Sequence, residues 1–188
     1  MPTRTFLALD VDESIRTGLA EAQHALTDCG AKCRLVAKPN LHVTVQFLGD
    51  VADEQLREVL DTAAAVAGEI APFDFHIRGL LAVPPTGLLR MVWAMATDPT
   101  GRMGQLQEHL AEALGALGFR AEERSFKPHI TLVRIKFAAD PARFRQAVQQ
   151  MAERDFGLQH AAELVVYSSD LRPGGPVYTP LAHCPLGR

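Results

Sequence analysis

The chain has 188 residues, 47% hydrophobic and 22% charged, which suits one sizeable globular domain or two small lobes and excludes collagenous, low-complexity or disordered classes. A formal net charge of −3 excludes a protein that coats nucleic acid through bulk positive charge. The opening apolar run Phe6-Leu7-Ala8-Leu9 meets Asp10, Asp12 and Glu13 too soon for a secretory leader. No stretch approaches the roughly 20 apolar residues of a membrane span, so the expected location is the cytoplasm, with no membrane partner.

In chain order, residues 5–11 mix β-formers with a short apolar run and predict a strand. Capping groups at 12–14 introduce a helix with Ile15, Leu19, Ala22 and Leu26 on one stripe, up to Gly30. Residues 41–48 alternate as a strand and close on Gly49-Asp50. Residues 53–67 place Leu56, Val59, Leu60 and Ala63 on one helical face. Two strands, 73–83 and 89–96, flank the turn Pro84-Pro85-Thr86-Gly87. A third helix, 103–117, carries Leu106, Leu110, Leu114 and Leu117, and 130–137 is again extended. Asp140-Pro141 reads as cap and first-turn proline of a helix running to about Arg154. Strands at 163–168 and 177–183 close the chain. The halves on either side of residue 88 are alike in kind, and the whole predicts an α+β protein of two similar lobes with mainly antiparallel sheets. Residues 1–188 are expected to form a single domain made of these two pseudo-symmetric lobes.

The chemistry concentrates in two short stretches, Asn40-Leu41-His42-Val43-Thr44-Val45-Gln46-Phe47-Leu48-Gly49 and Lys127-Pro128-His129-Ile130-Thr131-Leu132-Val133-Arg134. Each has His, a β-branched residue, Thr and an apolar residue in that order. Alternate residues of a strand share a face, so His42 lies beside Thr44 and His129 beside Thr131, with Val43, Val45, Ile130 and Leu132 turned toward a core. Imidazole gives and takes protons near neutral pH, and a threonine hydroxyl can donate to a phosphoryl oxygen. Facing each other, the two units would surround one anion and support in-line attack on a cyclic phosphodiester. One imidazole would take a proton from water and the other would give one to the departing ribose oxygen, without a metal. Basic side chains gather near both: Lys32, Arg34 and Lys38 before His42, and Arg124, Lys127, Arg134 and Lys136 around His129.

These paired segments, with Phe-Leu-Gly after the first and Lys-Pro-His before the second, resemble the 2H phosphoesterase superfamily. Within it they resemble the RNA 2′,3′-cyclic phosphodiesterases, also called 2′-5′ RNA ligases, from Phe6-Leu7-Ala8-Leu9-Asp10 to Tyr178-Thr179-Pro180-Leu181. The resemblance implies a bilobal fold with a central cleft, no cofactor, and RNA ends or nucleotides bearing a 2′,3′-cyclic phosphate as partners. It implies hydrolysis to a 2′-phosphate and a reversible 2′-5′ joining of RNA ends. It maps His42 and His129 onto the catalytic pair, here assigned as proton donor and proton acceptor, and Thr44 and Thr131 onto phosphate binding. Arg134 is a further phosphate-binding candidate. Strict alternation puts it on the face opposite His129, so it reaches the phosphate only if the strand ends or bulges near Val133.

The remaining histidines, His24, His76, His109, His160 and His183, are expected to be structural or at the surface. Phe6, Phe47, Phe126 and Tyr178 are candidates to stack on a base. Two rival readings stay open: a non-catalytic binder of RNA ends in the same cleft, and a metal hydrolase built on Cys29, Cys33, His183 and Cys184.

Overall fold

The computed structural model describes residues 2–120 and 125–187. In order it contains β1 (Thr3–Asp10), α1 (Glu13–Thr27), β2 (Ala31–Leu35), a 3₁₀ turn (Lys38–Asn40), β3 (His42–Val51), α2 (Asp53–Glu69), β4 (Phe73–Val83), β5 (Met91–Thr97), α3 (Arg102–Ala116), β6 (His129–Ala138), α4 (Pro141–Gln149), β7 (Asp155–Ala161), β8 (Glu163–Arg172) and β9 (Gly175–Pro185). The strands form a four-stranded sheet, β3-β1-β8-β9, and a five-stranded sheet, β2-β6-β5-β4-β7. All their pairings are antiparallel.

Helices form where the apolar stripe demands them. α1 buries Ile15, Leu19, Ala22 and Leu26, and α3 buries Met103, Leu106, Leu110 and Leu114; the i, i+3, i+4 spacing puts each set on one side. Leu106, Leu110 and Leu114 are fully buried, so truncating Leu110 to Ala costs about 2–5 kcal/mol in lost transfer energy and a residual cavity. At the start of α4, Asp140 accepts a hydrogen bond from the Arg143 amide at 2.9 Å and Pro141 fills the first turn, satisfying an amide that the helix cannot. That helix stops at Gln149, several residues before the expected end near Arg154.

α2 and α3 pack on the four-stranded sheet, whereas α1 and α4 pack on the five-stranded one. Two similar lobes result, each a sheet with two helices, and β3 and β6 meet across the cleft between them. The lobes do not follow the two halves of the chain. β1 and β3 share a sheet with β8 and β9, so the last strands of the chain complete the sheet that the first began.

Two strands, β2 and β7, are absent from the sequence-based expectation. Both lie at edges of the five-stranded sheet. An edge strand pairs on one side only and needs no continuous apolar face, so its pattern is weak: β2 is Ala-Lys-Cys-Arg-Leu, and β7 contains Gly157. The β8–β9 hairpin also extends beyond the expected strands, its outer half largely exposed.

Candidate active site

β3 and β6 each begin at the histidine of a His-x-Thr segment. Along β3 the alternation is as expected: His42 and Thr44 are half-buried, and Val43 and Val45 are in the core. Along β6, His129 and Thr131 repeat this against buried Ile130 and Leu132. Because β3 and β6 belong to different sheets that face one another, all four side chains open onto one cavity of about 400 Å³.

Both imidazoles are oriented by their own strand starts. His42 Nδ1 lies 2.8 Å from the Asn40 carbonyl, and His129 Nδ1 lies 2.6 Å from the Lys127 carbonyl. A carbonyl only accepts, so each Nδ1 carries the hydrogen and Nε2 is the nitrogen left for chemistry. His42 Nε2 is 3.0 Å from Thr44 Oγ1, so the hydroxyl donates to the neutral ring.

The surroundings of the two rings differ. His42 stacks on Phe6 at 4.9 Å and meets the edge of Tyr178 at 5.4 Å. Burial lowers its pKa to about 4, against the pull of the Asn40 carbonyl and the Asp10 carboxylate and with a further push from His129. Asp10 lies opposite His42 in the β1–β3 ladder. Its carboxylate accepts from the Tyr167 hydroxyl at 2.8 Å and faces Arg16 at 3.5 Å. Burial, then the Asp10 carboxylate, pushes the Tyr167 hydroxyl far above its ordinary pKa, so Tyr167 remains a donor. His129 instead lies flat against Trp93 with ring centroids 3.7 Å apart.

Arg134 also lines the cavity, and the bulge it requires is present. Val92 pairs with Val133, but Trp93 pairs with Thr131, leaving Leu132 as an extra residue on β6. Leu132 and Val133 are consecutively buried, and the phase of the strand flips, returning Arg134 to the side of His129. Gln23 of α1, a buried polar residue, donates to the Val36 and Leu132 carbonyls at 2.8 Å each, tying down the bulged strand. No sequence pattern pointed to Gln23, because a helix stripe does not reveal what it reaches.

Arg4 and Arg34 join Arg134 at the cavity. Arg34 falls within the first basic neighbourhood, but Arg4 had no motif to mark it; it lies over the Phe47 ring at 4.8 Å. Of the other basic candidates, Lys38 is taken by Glu13 and Thr17, Lys32 and Lys136 are outside the cavity lining, and Arg124 lies outside the described residues. Phe6, Phe47 and Tyr178 line the cavity, whereas Phe126 packs against the core. His76, His160, His183 and His109 face Asp155, Asp74, Glu163 and Glu69 at the surface, and His24 lies in the last turn of α1. Cys29, Cys33 and Cys184 are free thiols. Cys33 and Cys184 sit in different sheets, and among the described residues no three His, Cys, Asp or Glu side chains gather as metal ligands. Among the described residues no helix is long and apolar enough to cross a membrane.

The sequence and the two-lobed fold have counterparts in known proteins. The chain is 33% identical over 175 residues to an RNA 2′,3′-cyclic phosphodiesterase of Methanocaldococcus jannaschii, covering 93% of this chain and 96% of that one. It is 31% identical to the protein of that name in Methanothermobacter thermautotrophicus, over 95% and 96%. Among solved structures it superposes on a Thermus thermophilus protein with a TM-score of 0.81 at 30% identity, covering 97% of both chains. On E. coli LigT complexed with 3′-AMP the TM-score is 0.80 at 25% identity, covering both chains fully. Residues 11–170 match the sequence model of one family throughout, and the chain belongs to the 2′-5′ RNA ligase superfamily.

Proposed function

We propose that the cleft hydrolyses RNA-terminal 2′,3′-cyclic phosphates to 2′-phosphomonoesters by metal-independent acid–base catalysis between His42 and His129. One observation carries the reading: two His-x-Thr strands from separate sheets open onto a single cavity. The relatives named RNA 2′,3′-cyclic phosphodiesterase over nearly the whole chain support the reaction class.

With the phosphate between the imidazoles, His129 takes a proton from water as its oxygen bonds to phosphorus. The bond to the ribose 3′ oxygen breaks, and His42 gives that oxygen a proton, leaving the phosphate on the 2′ oxygen. Thr44 and Thr131 donate hydrogen bonds, and Arg134 supplies a positive charge, where negative charge builds on the equatorial oxygens. A ribose 5′-hydroxyl in place of water would give a 2′-5′ linkage, which brings end-joining into the same chemistry. Burial keeps His42 neutral down to about pH 4; an anionic phosphate beside it favours the imidazolium and so loads the acid as substrate binds. That neutral Nε2, which carries no hydrogen, also supports the reverse order, with His42 as base.

The test is chromatography of the product formed from adenosine 2′,3′-cyclic phosphate with and without EDTA. Adenosine 2′-phosphate is expected at the same rate in both. Accumulation of the 3′-phosphate would reject the assigned leaving oxygen, arrest by EDTA would reject the metal-free reading, and binding without conversion would leave an RNA-end binder.

A further inference from the structure

A second cavity of about 450 Å³ continues from the first. Arg34, Val36, Asn40, Arg134, Pro176 and Tyr178 line both, so the two are lengths of one groove. Beyond them the second cavity is closed by the turn of the β8–β9 hairpin, with Arg172, Gly174 and Gly175.

Its charge is one-sided. Arg34 and Arg134 lie directly opposite each other in the β2–β6 ladder, an arrangement in which like charges repel and cost stability. Among the described residues neither pairs with a carboxylate; Arg134 has a long contact of 3.8 Å to the Met91 sulfur. The positive charges of Arg134 and Arg4 reach Tyr178, opposing the upward push of burial on its hydroxyl. Arg172 is the one arginine here with an acidic neighbour, Asp170 at 2.8 Å.

Arg34 also reaches the hairpin of the other lobe. Gly175 has φ +135°, a conformation that favours glycine, and a Cβ there would come within 2.7 Å of an Arg34 terminal nitrogen, so the guanidinium lies close against the hairpin backbone. Asn40 fixes the same hairpin by donating to the Pro176 carbonyl at 2.8 Å. A cation that reaches across two lobes, opposite another cation, makes sense if an anion completes it.

We propose that this second cavity is an anion subsite in which Arg34 and Arg172, with Arg134 at the boundary, hold the phosphodiester linking the terminal nucleotide to its 5′ neighbour. The inference rests on the reading of the first cavity as a cyclic-phosphate site. It makes the preferred substrate an oligonucleotide end rather than a mononucleotide, because only a continuing strand carries a second phosphate into the adjoining groove.

Three substrates test it: adenosine 2′,3′-cyclic phosphate, the ApA dinucleotide ending in the same cyclic phosphate, and that dinucleotide with an uncharged methylphosphonate linkage. The charged dinucleotide is expected to exceed the mononucleotide in kcat/KM by about tenfold or more, the scale of one charge-assisted hydrogen bond. The methylphosphonate should fall back toward the mononucleotide. Arg34→Gln and Arg172→Gln should each shrink the ratio of charged to uncharged dinucleotide. Equal kcat/KM for the two dinucleotides in the unaltered protein overturns the subsite, whatever the variants do. Turnover of the mononucleotide reads the first cavity separately. Calorimetric binding of ApA 2′-phosphate against adenosine 2′-phosphate reads the subsite even without turnover: tighter binding of the dinucleotide supports it, and equal binding rejects it.

Discussion

His42 and His129 are each followed by a β-branched residue, a threonine and an apolar residue, yet the fold gives them different surroundings. His42 is wrapped by Phe6 and Tyr178, and burial depresses its pKa to about 4. His129 rests against one face of Trp93 on a strand that bulges three residues on. A motif repeated in sequence therefore places two rings on one cavity in unlike surroundings.

The largest effect that would break the comparison is loss of either ring. His42→Ala and His129→Ala are each expected to lower turnover of adenosine 2′,3′-cyclic phosphate by about 10²- to 10⁴-fold, the usual contribution of a positioned acid or base. A substrate whose 3′ leaving atom is sulfur separates the roles. Sulfur departs without a proton, so the variant lacking the acid should recover on it and the variant lacking the base should not. Recovery of His129→Ala instead of His42→Ala would reverse the assignment, and unchanged turnover in either variant on the natural substrate would end the acid–base reading.

Next come the hydroxyls. Thr44→Val and Thr131→Val keep the strand shape and remove one donor each, so kcat should fall about 10²-fold while the fold is retained. If KM rises with kcat untouched, these hydroxyls bind ground state and transition state equally and do not lower the barrier.

A third comparison uses stability. In the unfolded chain His42 titrates near the ordinary histidine value of 6.5, whereas in the folded protein it stays neutral down to about 4. Between those values the unfolded state binds more protons, so stability falls as pH drops from 6.5 to about 4 and is unaffected above 6.5. The full shift corresponds to roughly 3 kcal/mol. His42→Gln cannot titrate, and its urea midpoint should fall less over that window. Parallel slopes in the two proteins would show that the ring is not desolvated as described.

The smallest effect is spectroscopic and isolates the other ring. Trp93 is the chain's one tryptophan, stacked on His129, and a protonated imidazole quenches an excited indole better than a neutral one. Emission should fall along one sigmoid as pH is lowered, and His129→Gln should remove the step. A step that survives that substitution belongs to another group.

Much of the site was legible before any coordinates, since the alternation of a strand is a local rule. The rule put Thr44 beside His42 and Thr131 beside His129, and side-chain chemistry suggested what such pairs could do. Arg134 shows where that rule stops. Counting by twos set it on the wrong face, and only pairing with β5, which leaves Leu132 unmatched, turned it round. Arg34 and Gln23 meet partners a hundred or more residues away, and no local pattern encodes a partner at that distance.

The sequence by itself determined the helices, whose stripes are fixed by a 3.6-residue period, and the two His-x-Thr faces, fixed by a period of two. Tertiary structure decided the rest. It joined the first and last strands in one sheet, formed β2 and β7 as edges through their neighbours' ladders, flipped β6 at Leu132, and set one imidazole between Phe6 and Tyr178 and the other against Trp93. The physical reason is that periodicity follows from bonds between adjacent residues, whereas register, bulges and desolvation depend on which distant surface each strand meets.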